Sequence, residues 1–484
     1  MKKSFLCTFF CLLFCFPIIS LAQTETITQI TDIKLQEDKN SVKIVIKLSN
    51  PIGKLPDIMA NLETVTFTVP AQYEDKTKNK KREHKPEEQL LITSNGFVSK
   101  VQWTPLGNET TFEIKRKYYC PVYITQNENQ LTAEFLKDYF VKESTKIKPG
   151  IVRHYIRTVT ERGPVVANAL EIDLSNENIS VKVGLPDVKK IKAKDTLSNI
   201  VKQYMAFAGI NANYFDVKVG NSLGTLITDG TWLTGPVYDR VALGIGEDKQ
   251  IYIDQIMLVG VATVYRGFRK KPFAMFDIDG LNIPFSLYKK IGLFTQNWDE
   301  ELILPENKIV QIIKRGCIRK ITENSVKIPN DGYALVSNEN YVLNFLKKRD
   351  CIKIDWQTNP DWSDVTEAVS GGPYLIRDGN IYIDDKIQNF KFAKKDTYAP
   401  RSAIGIGQDG KLYLIAVDGR LNGYSTGVTF QQLAQLLKKL ELKEAINLDG
   451  GGSTTLIADA KILNKLSDHH ERKISNGLLI LYKD

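Results

Sequence analysis

The sequence predicts an α+β or α/β protein, in which a small all-β sandwich precedes a mixed-sheet domain that carries a βαβ unit in its C-terminal part. Two observations point there. Residues 27–139 are short runs of alternating polarity, such as 42–48 and 65–69, separated by turn residues and lacking helical periodicity, the pattern of a sandwich. Beyond residue 151 strand-like apolar runs and helical spacings are interleaved, most clearly from Lys411 to Gly452.

In chain order, residues 1–22 place Lys2 and Lys3 before an apolar run, broken by Pro17, that ends in Ser20-Leu21-Ala22; this is the form of a cleavable secretory signal. Gln23, not a cysteine, stands directly after it, so no lipid anchor is indicated, and no later segment is long and apolar enough to form a transmembrane helix. The expected location is therefore exported, periplasmic or extracellular. Residues 23–145 are assigned to the sandwich, residues 142–150 with Pro149 to a linker, and residues 146–484 to the second domain, whose section 255–360 is mainly β. Within the sandwich, residues 75–88 carry Lys76, Lys78, Lys80, Lys81, Arg82 and Lys85 without interleaved aromatic residues. A solvated loop fits that run, and a nucleic-acid surface does not.

The whole chain carries a formal charge of +9, or +7 without the two lysines of the signal, which suits an anionic ligand. Four scattered histidines make a histidine-rich metal site improbable, and no cofactor is expected, with a divalent cation kept as an alternative. Beyond the signal only Cys120, Cys317 and Cys351 remain, enough for at most one internal disulfide; they are read as buried apolar residues.

In the Lys411 to Gly452 stretch, Leu412 to Val417 is a buried strand feeding the turn Asp418-Gly419-Arg420. Thr429 and Gln432 form a capping-box pattern, and Phe430, Leu433, Ala434, Leu437 and Leu440 keep helical spacing up to Lys438 and Lys439. Residues 445–448 give a second strand. Strand, helix and strand in that order imply two parallel strands whose carboxyl ends share one sheet edge, where ligands of open α/β sheets bind. Residues 197–215 repeat the arrangement, with Leu197, Ile200, Val201, Tyr204 and Met205 on a helix face before the turn Asn211-Ala212-Asn213-Tyr214-Phe215. Ser370-Gly371-Gly372 leads into an Asp378-Gly379 hairpin, and Arg401 opens another strand.

The most informative segment is NLDGGGST at 447–454. Three glycines after a carboxylate pack nothing and are costly to order, so the bend is expected to bring a ligand close to Asp449, Gly450, Gly451, Gly452, Ser453 and Thr454, with backbone N–H groups as anion donors.

The ordered set NANYFD, SGGPYLIRDG, RSAIGI, VDGR and NLDGGGSTTL resembles the phosphodiester glycosidase family over residues 151–484, and GLFTQNW and ISNGLLIL resemble further family segments. Here Ala212 and Asn213 stand where many family members have a glycine pair. The N-terminal β region resembles the AMIN type of cell-envelope module. The resemblance implies hydrolysis of a sugar C1–O–phosphate bond in a glycosyl phosphodiester, with an N-acetylglucosamine-type glycan as partner. The transition state has oxocarbenium character and the leaving phosphate gains charge.

On that basis Asp449 and Asp418 are the candidate base or cation-stabilising groups, and Arg401 and Arg420 the phosphate clamps. Asn447, Asn211 and Asn213 are candidates to read sugar hydroxyls or an acetamido group, Tyr214 to stack on the sugar, and Gly371 and Gly372 to line the site. Two other functions compete: a phosphodiesterase with a divalent ion on Asp418 and Asp449, and a cell-wall glycan-binding protein without activity.

Overall fold

The computed structural model describes residues 27–73, 97–267, 271–305, 308–337, 343–384, 388 and 397–483. The signal-like residues 1–22 and the basic run 75–88 lie outside them. Two compact units are present, one formed by the chain up to residue 116 together with 122–135, the other by 117–121 and 136 onward. In the first, a five-stranded and a four-stranded sheet each bury alternate residues, as the sequence pattern requires. Phe67 and Phe112 stack at 5.1 Å in its core. Residues 142–150, expected to be a linker, lie mostly in the strand Phe140–Lys148 of the second unit, paired along its length with Ile151–Thr160.

The second unit is mostly β, a correction to the expected α/β balance. Nine elements position the candidate residues: helix α1 (Leu197–Gln203), then strands β1 (Ala208–Asn211), β2 (Tyr374–Arg377), β3 (Arg401–Gly407) and β4 (Leu412–Val417), helix α2 (Phe430–Lys439), and strands β5 (Leu442–Asn447), β6 (Leu456–Ala458) and β7 (Gly477–Tyr482). Strands β4, β3, β5 and β2 are consecutive in an eight-stranded sheet whose neighbours all pair antiparallel. Because β3 runs against both β4 and β5, the strand–helix–strand segment returns parallel but not adjacent. Periodicity reveals each strand but cannot show that residues from earlier in the chain will slot between them.

Helix α2 starts where Thr429 caps it: the Thr429 hydroxyl accepts the Gln432 N–H at 3.2 Å and the Gln432 side chain accepts the Thr429 N–H at 3.0 Å. Its apolar stripe, Phe430, Leu433, Ala434, Leu436 and Leu437, packs on Ala403, Val417 and Ala445 of the sheet. Truncating one such leucine to alanine costs about 2–5 kcal/mol. Helix α1 is shorter than the sequence pattern, because Met205 adopts a positive φ of 51° and is 89% exposed, outside the buried face. A second sheet, with β7, β1 and β6 adjacent, stacks its apolar face into the core shared with β3, β4 and β5.

Section 255–360 is mainly β: most of its strands form an eight-stranded sheet. Cys317 and Cys351, read as apolar residues, face each other across paired strands in it and form a disulfide. Cys120 is buried and free. Replacing both bonded cysteines by serine releases a cross-link spanning 34 positions. By the loop-entropy relation the loss is about 3–4 kcal/mol of unfolding free energy. Denaturant titration checks this, and an unchanged midpoint would contradict it.

Candidate active site

Register brings the candidate residues to one edge. Arg401 pairs with Val417, one residue before Asp418, and Ala403 pairs with Asn447, two residues before Asp449. Strands β4 and β5 end here and β3 begins here. After β5 the chain turns at Gly451, whose φ of 63° favours glycine, into a single 3-10 turn over Gly451–Ser453. The turn uses its own donors: Gly451 N–H donates to Pro400 O at 2.9 Å, Ser453 N–H to Gly450 O at 3.2 Å, and Thr454 N–H to Gly451 O at 3.2 Å. The expected cradle of backbone N–H groups is thus not open to a ligand at these three positions. The bend serves by shape, bringing backbone close to Arg401, Arg420 and Arg472.

One buried amide fixes it. Asn211, at the end of β1, donates Nδ2 to Asp449 O at 2.6 Å and accepts the Ser402 hydroxyl at 2.7 Å and the Thr455 N–H at 3.0 Å. Asn213 does similar work one step on: Oδ1 accepts the Ser370 N–H at 3.0 Å and Nδ2 donates to Thr225 O at 3.0 Å. These two asparagines, expected to read the sugar, spend their polar atoms on backbone and on Ser402. Asn447 lies deeper, donating Nδ2 to Tyr214 Oη at 2.7 Å and to Gly372 O at 3.2 Å, and its buried Oδ1 has no hydrogen-bond partner. The Tyr214 hydroxyl donates to Gly372 O at 2.9 Å, so this network holds the ring by its hydroxyl end. Gly371 must be glycine, since a Cβ there would lie 2.3 Å from Asn447 O. Phe215 packs against the core beside α1.

Two cations face the bend. Arg401, 8% exposed, donates Nε to Val428 O at 3.2 Å and Nη2 to Thr397 O at 2.8 Å, and its guanidinium lies 4.2 Å from the Phe430 ring centre. Its Nη1 makes no hydrogen bond among the described residues. Arg420 is exposed, with its guanidinium over Gly451, where a Cβ would stand 3.3 Å from Nη2. Burial lowers the Arg401 pKa, and the neighbouring Arg420 charge lowers it further. Neither arginine makes an ion pair among the described residues, although the Arg420 charge helps hold the Asp468 carboxyl below its ordinary range. Two more arginines, not anticipated from sequence, complete the ring: Arg240, 5.0 Å above the Tyr214 ring centre, and Arg472, which pairs with Asp468 at 2.6 Å over Gly452.

The acids differ. Asp449 keeps partial solvent access, and burial pushes its carboxyl up to about 6, opposed by the Ser453 hydroxyl, the Gly450 N–H and the Arg472 charge. Its carboxylate also raises the pKa of Tyr214, after burial, with Arg240 and Arg401 acting in the opposite sense. Asp418 is fully buried at 0% exposure. Oδ1 accepts the Lys465 N–H at 2.9 Å, and Oδ2 has no hydrogen-bond partner. Burial pushes it up to about 7, and Tyr424 and Asn464 face it without reaching Oδ2 in hydrogen-bonding geometry. Asp418, expected to act beside Asp449, is thus enclosed at the end of β4, while Asp449 alone of the two keeps solvent access. Asp418 anchors the 464–465 turn, where Asn464 Nδ2 holds Thr454 O at 3.1 Å and Oδ1 accepts the Leu456 N–H at 2.8 Å. Thr454 Oγ1 is buried without a partner. The edge thus gathers Asp449, Arg401, Arg420, Tyr214 and Ser453 around the bend, with the asparagines, Gly371 and Gly372 behind them. The cavities whose linings are described lie elsewhere in the molecule.

Residues 307–481 match the family model of phosphodiester glycosidase. This stretch contains β2 to β6 and the bend, but not Asn211, Asn213 or Tyr214. The N-acetylglucosamine-1-phosphodiester alpha-N-acetylglucosaminidase of Mus musculus is 33% identical over 112 residues, 21% of this chain and 21% of that protein. An uncharacterized prophage-derived protein, YomE, of Bacillus subtilis is 40% identical over 113 residues, 23% of this chain and 17% of that one. The chain therefore spans about a fifth of the length of these curated relatives. A solved structure of a hypothetical protein from Synechocystis superposes with a TM-score of 0.65 at 19% identity, covering 94% of this chain and 81% of that one, and shows a shared fold.

The Asp418 assignment has a pH signature. Its folded pKa of about 7 stands above the ordinary 3.8, so its stabilising share is fully present below about pH 4 and lost as pH rises through about 7. Asp418→Asn removes that titration. Its unfolding free energy should fall less steeply than wild type between about pH 4 and pH 7, with no difference in slope above that. Equal slopes would refute buried ionisation at Asp418.

Proposed function

We propose that this protein is an exported hydrolase that cleaves a sugar C1–O–phosphate bond in a glycosyl phosphodiester, releasing free sugar and a phosphate monoester. The observation that carries it is the unpaired Arg401 and Arg420 charge beside a half-buried Asp449 of raised pKa. A phosphodiester brings the missing negative charge, and the two guanidinium groups gain most as the leaving phosphate becomes more anionic. The family match over residues 307–481 supports the same chemistry.

Phosphate leaves readily, so a strong general acid is not needed. Asp449, ionised above about pH 6, takes the proton of an attacking water or stabilises the cationic sugar carbon. Ser453 holds its carboxylate, and Tyr214 walls the site beneath Arg240. The sugar is assigned as N-acetylglucosamine on the name of the mouse relative. Export is supported by the signal-like start and by the Cys317–Cys351 disulfide, a bond that persists in oxidising compartments. No helix among the described residues is long and apolar enough to cross a membrane. The N-terminal β unit is assigned as an envelope or glycan module on its AMIN-like sequence pattern.

The test uses an N-acetylglucosamine 1-phosphodiester in ¹⁸O water. Label is expected in the sugar, with turnover rising as pH passes about 6, and Asp449→Asn should lower kcat by roughly 10²–10⁴. Label in the phosphate would mean P–O cleavage, as a metal-dependent phosphodiesterase gives, and undiminished turnover by the variant would remove Asp449 from the chemistry.

A further inference from the structure

Far along the chain from the bend, strands of the eight-stranded sheet in section 255–360, together with Trp232 from a neighbouring sheet, line a cavity of about 440 Å³ that includes Trp356, Tyr333 and Thr295 and no charged side chain. Trp356 pairs across strands with Gly260, and a Cβ on Gly260 would lie 2.9 Å from the Trp356 ring. The absent side chain lets the indole lie flat on the backbone. One ring face is thereby packed and the residue stays 39% exposed, which presents a flat aromatic platform held in place by a glycine.

The polar atoms of the cavity are few. Thr295 is spent internally, its hydroxyl accepting Asn282 Nδ2 at 2.8 Å and donating to Asn297 Oδ1 at 3.3 Å. The Tyr333 hydroxyl is buried with no hydrogen-bond partner, and neither indole N–H is hydrogen-bonded among the described residues. An acyl chain or an aliphatic peptide would fill the space and leave the buried Tyr333 hydroxyl unpaired, which buried polar groups avoid. An anion would meet no cation. A neutral pyranose offers what the lining lacks: a C–H face for an indole, and hydroxyls for isolated donors and the phenol.

We propose that this cavity is a carbohydrate subsite that holds a neutral pyranose ring of a glycan chain by stacking on Trp356 against Trp232. It is separate from hydrolysis at Asp449; only the choice of an N-acetylglucosamine oligomer as one probe rests on the function proposed above.

Purified full-length mature protein is titrated with chitohexaose and with cellohexaose, followed by tryptophan fluorescence and calorimetry. Saturable binding of at least one is expected, weakened at least tenfold by Trp356→Ala and much less by Trp356→Phe, which keeps an aromatic face and controls for folding. Both variants should hydrolyse a small sugar phosphodiester as wild type does, and Asp449→Asn should bind the oligosaccharide normally. No saturable binding of either probe, or binding indifferent to Trp356→Ala, overturns the subsite. Binding of the apolar dye 1-anilinonaphthalene-8-sulfonate alone would also overturn it. Intact oligosaccharide binding with no hydrolysis by wild type would sink the proposed reaction and leave the subsite standing.

Discussion

Asn211 is the constraint on which the active edge depends. A single buried carboxamide joins the end of β1 to the start of β3 through Ser402 and to both limbs of the glycine bend through Asp449 and Thr455. Each of these bonds replaces water by a fixed partner in a site with 0% exposure at Asn211, so loss of the side chain would strand several buried groups together. Neither sheet could hold Asp449 alone. The antiparallel sheet delivers it to the edge, and β1 in the second sheet fixes how far the bend projects.

Around that clamp the charges are arranged asymmetrically. Burial favours the protonated form of both acids, fully at Asp418 and in part at Asp449; Arg401 is buried and Arg420 exposed, and neither makes an ion pair among the described residues. An arrangement that is electrostatically unfavourable when empty becomes favourable when an anion enters. Arg401 is pre-set by two backbone carbonyls and the Phe430 ring, which leaves one nitrogen uncommitted. The capping box at Thr429 opens the helix at Phe430, the residue whose ring meets the guanidinium.

Much of this edge was legible because glycine and aspartate in an apolar setting are hard to explain by packing: the 447–454 bend, Arg401, Gly371 and the capping box announce themselves in sequence. The roles were less legible. Asp418 looks like Asp449 in sequence, both ending strands, yet the 464–465 turn closes over only the first, and that turn has no sequence signal linking it to residue 418. Asn211 and Asn213 were rightly polar but pointed inward, because side-chain direction depends on which strands become neighbours. Arg240 and Arg472 arrive from distant segments without a motif. At the level of fold, alternation revealed the strands, while the insertion of β3 between β4 and β5, and hence the antiparallel sheet, required knowing the pairing.

The proposed chemistry requires Arg401 and Arg420 to share one phosphate above Gly451. A crystal structure of the protein soaked with N-acetylglucosamine 1-phosphate tests this most directly. Phosphate oxygens are expected about 3 Å from a guanidinium nitrogen of each arginine, with C1 of the sugar turned toward Asp449. A phosphate bound away from both arginines, or a sugar carbon turned away from Asp449, would contradict that chemistry.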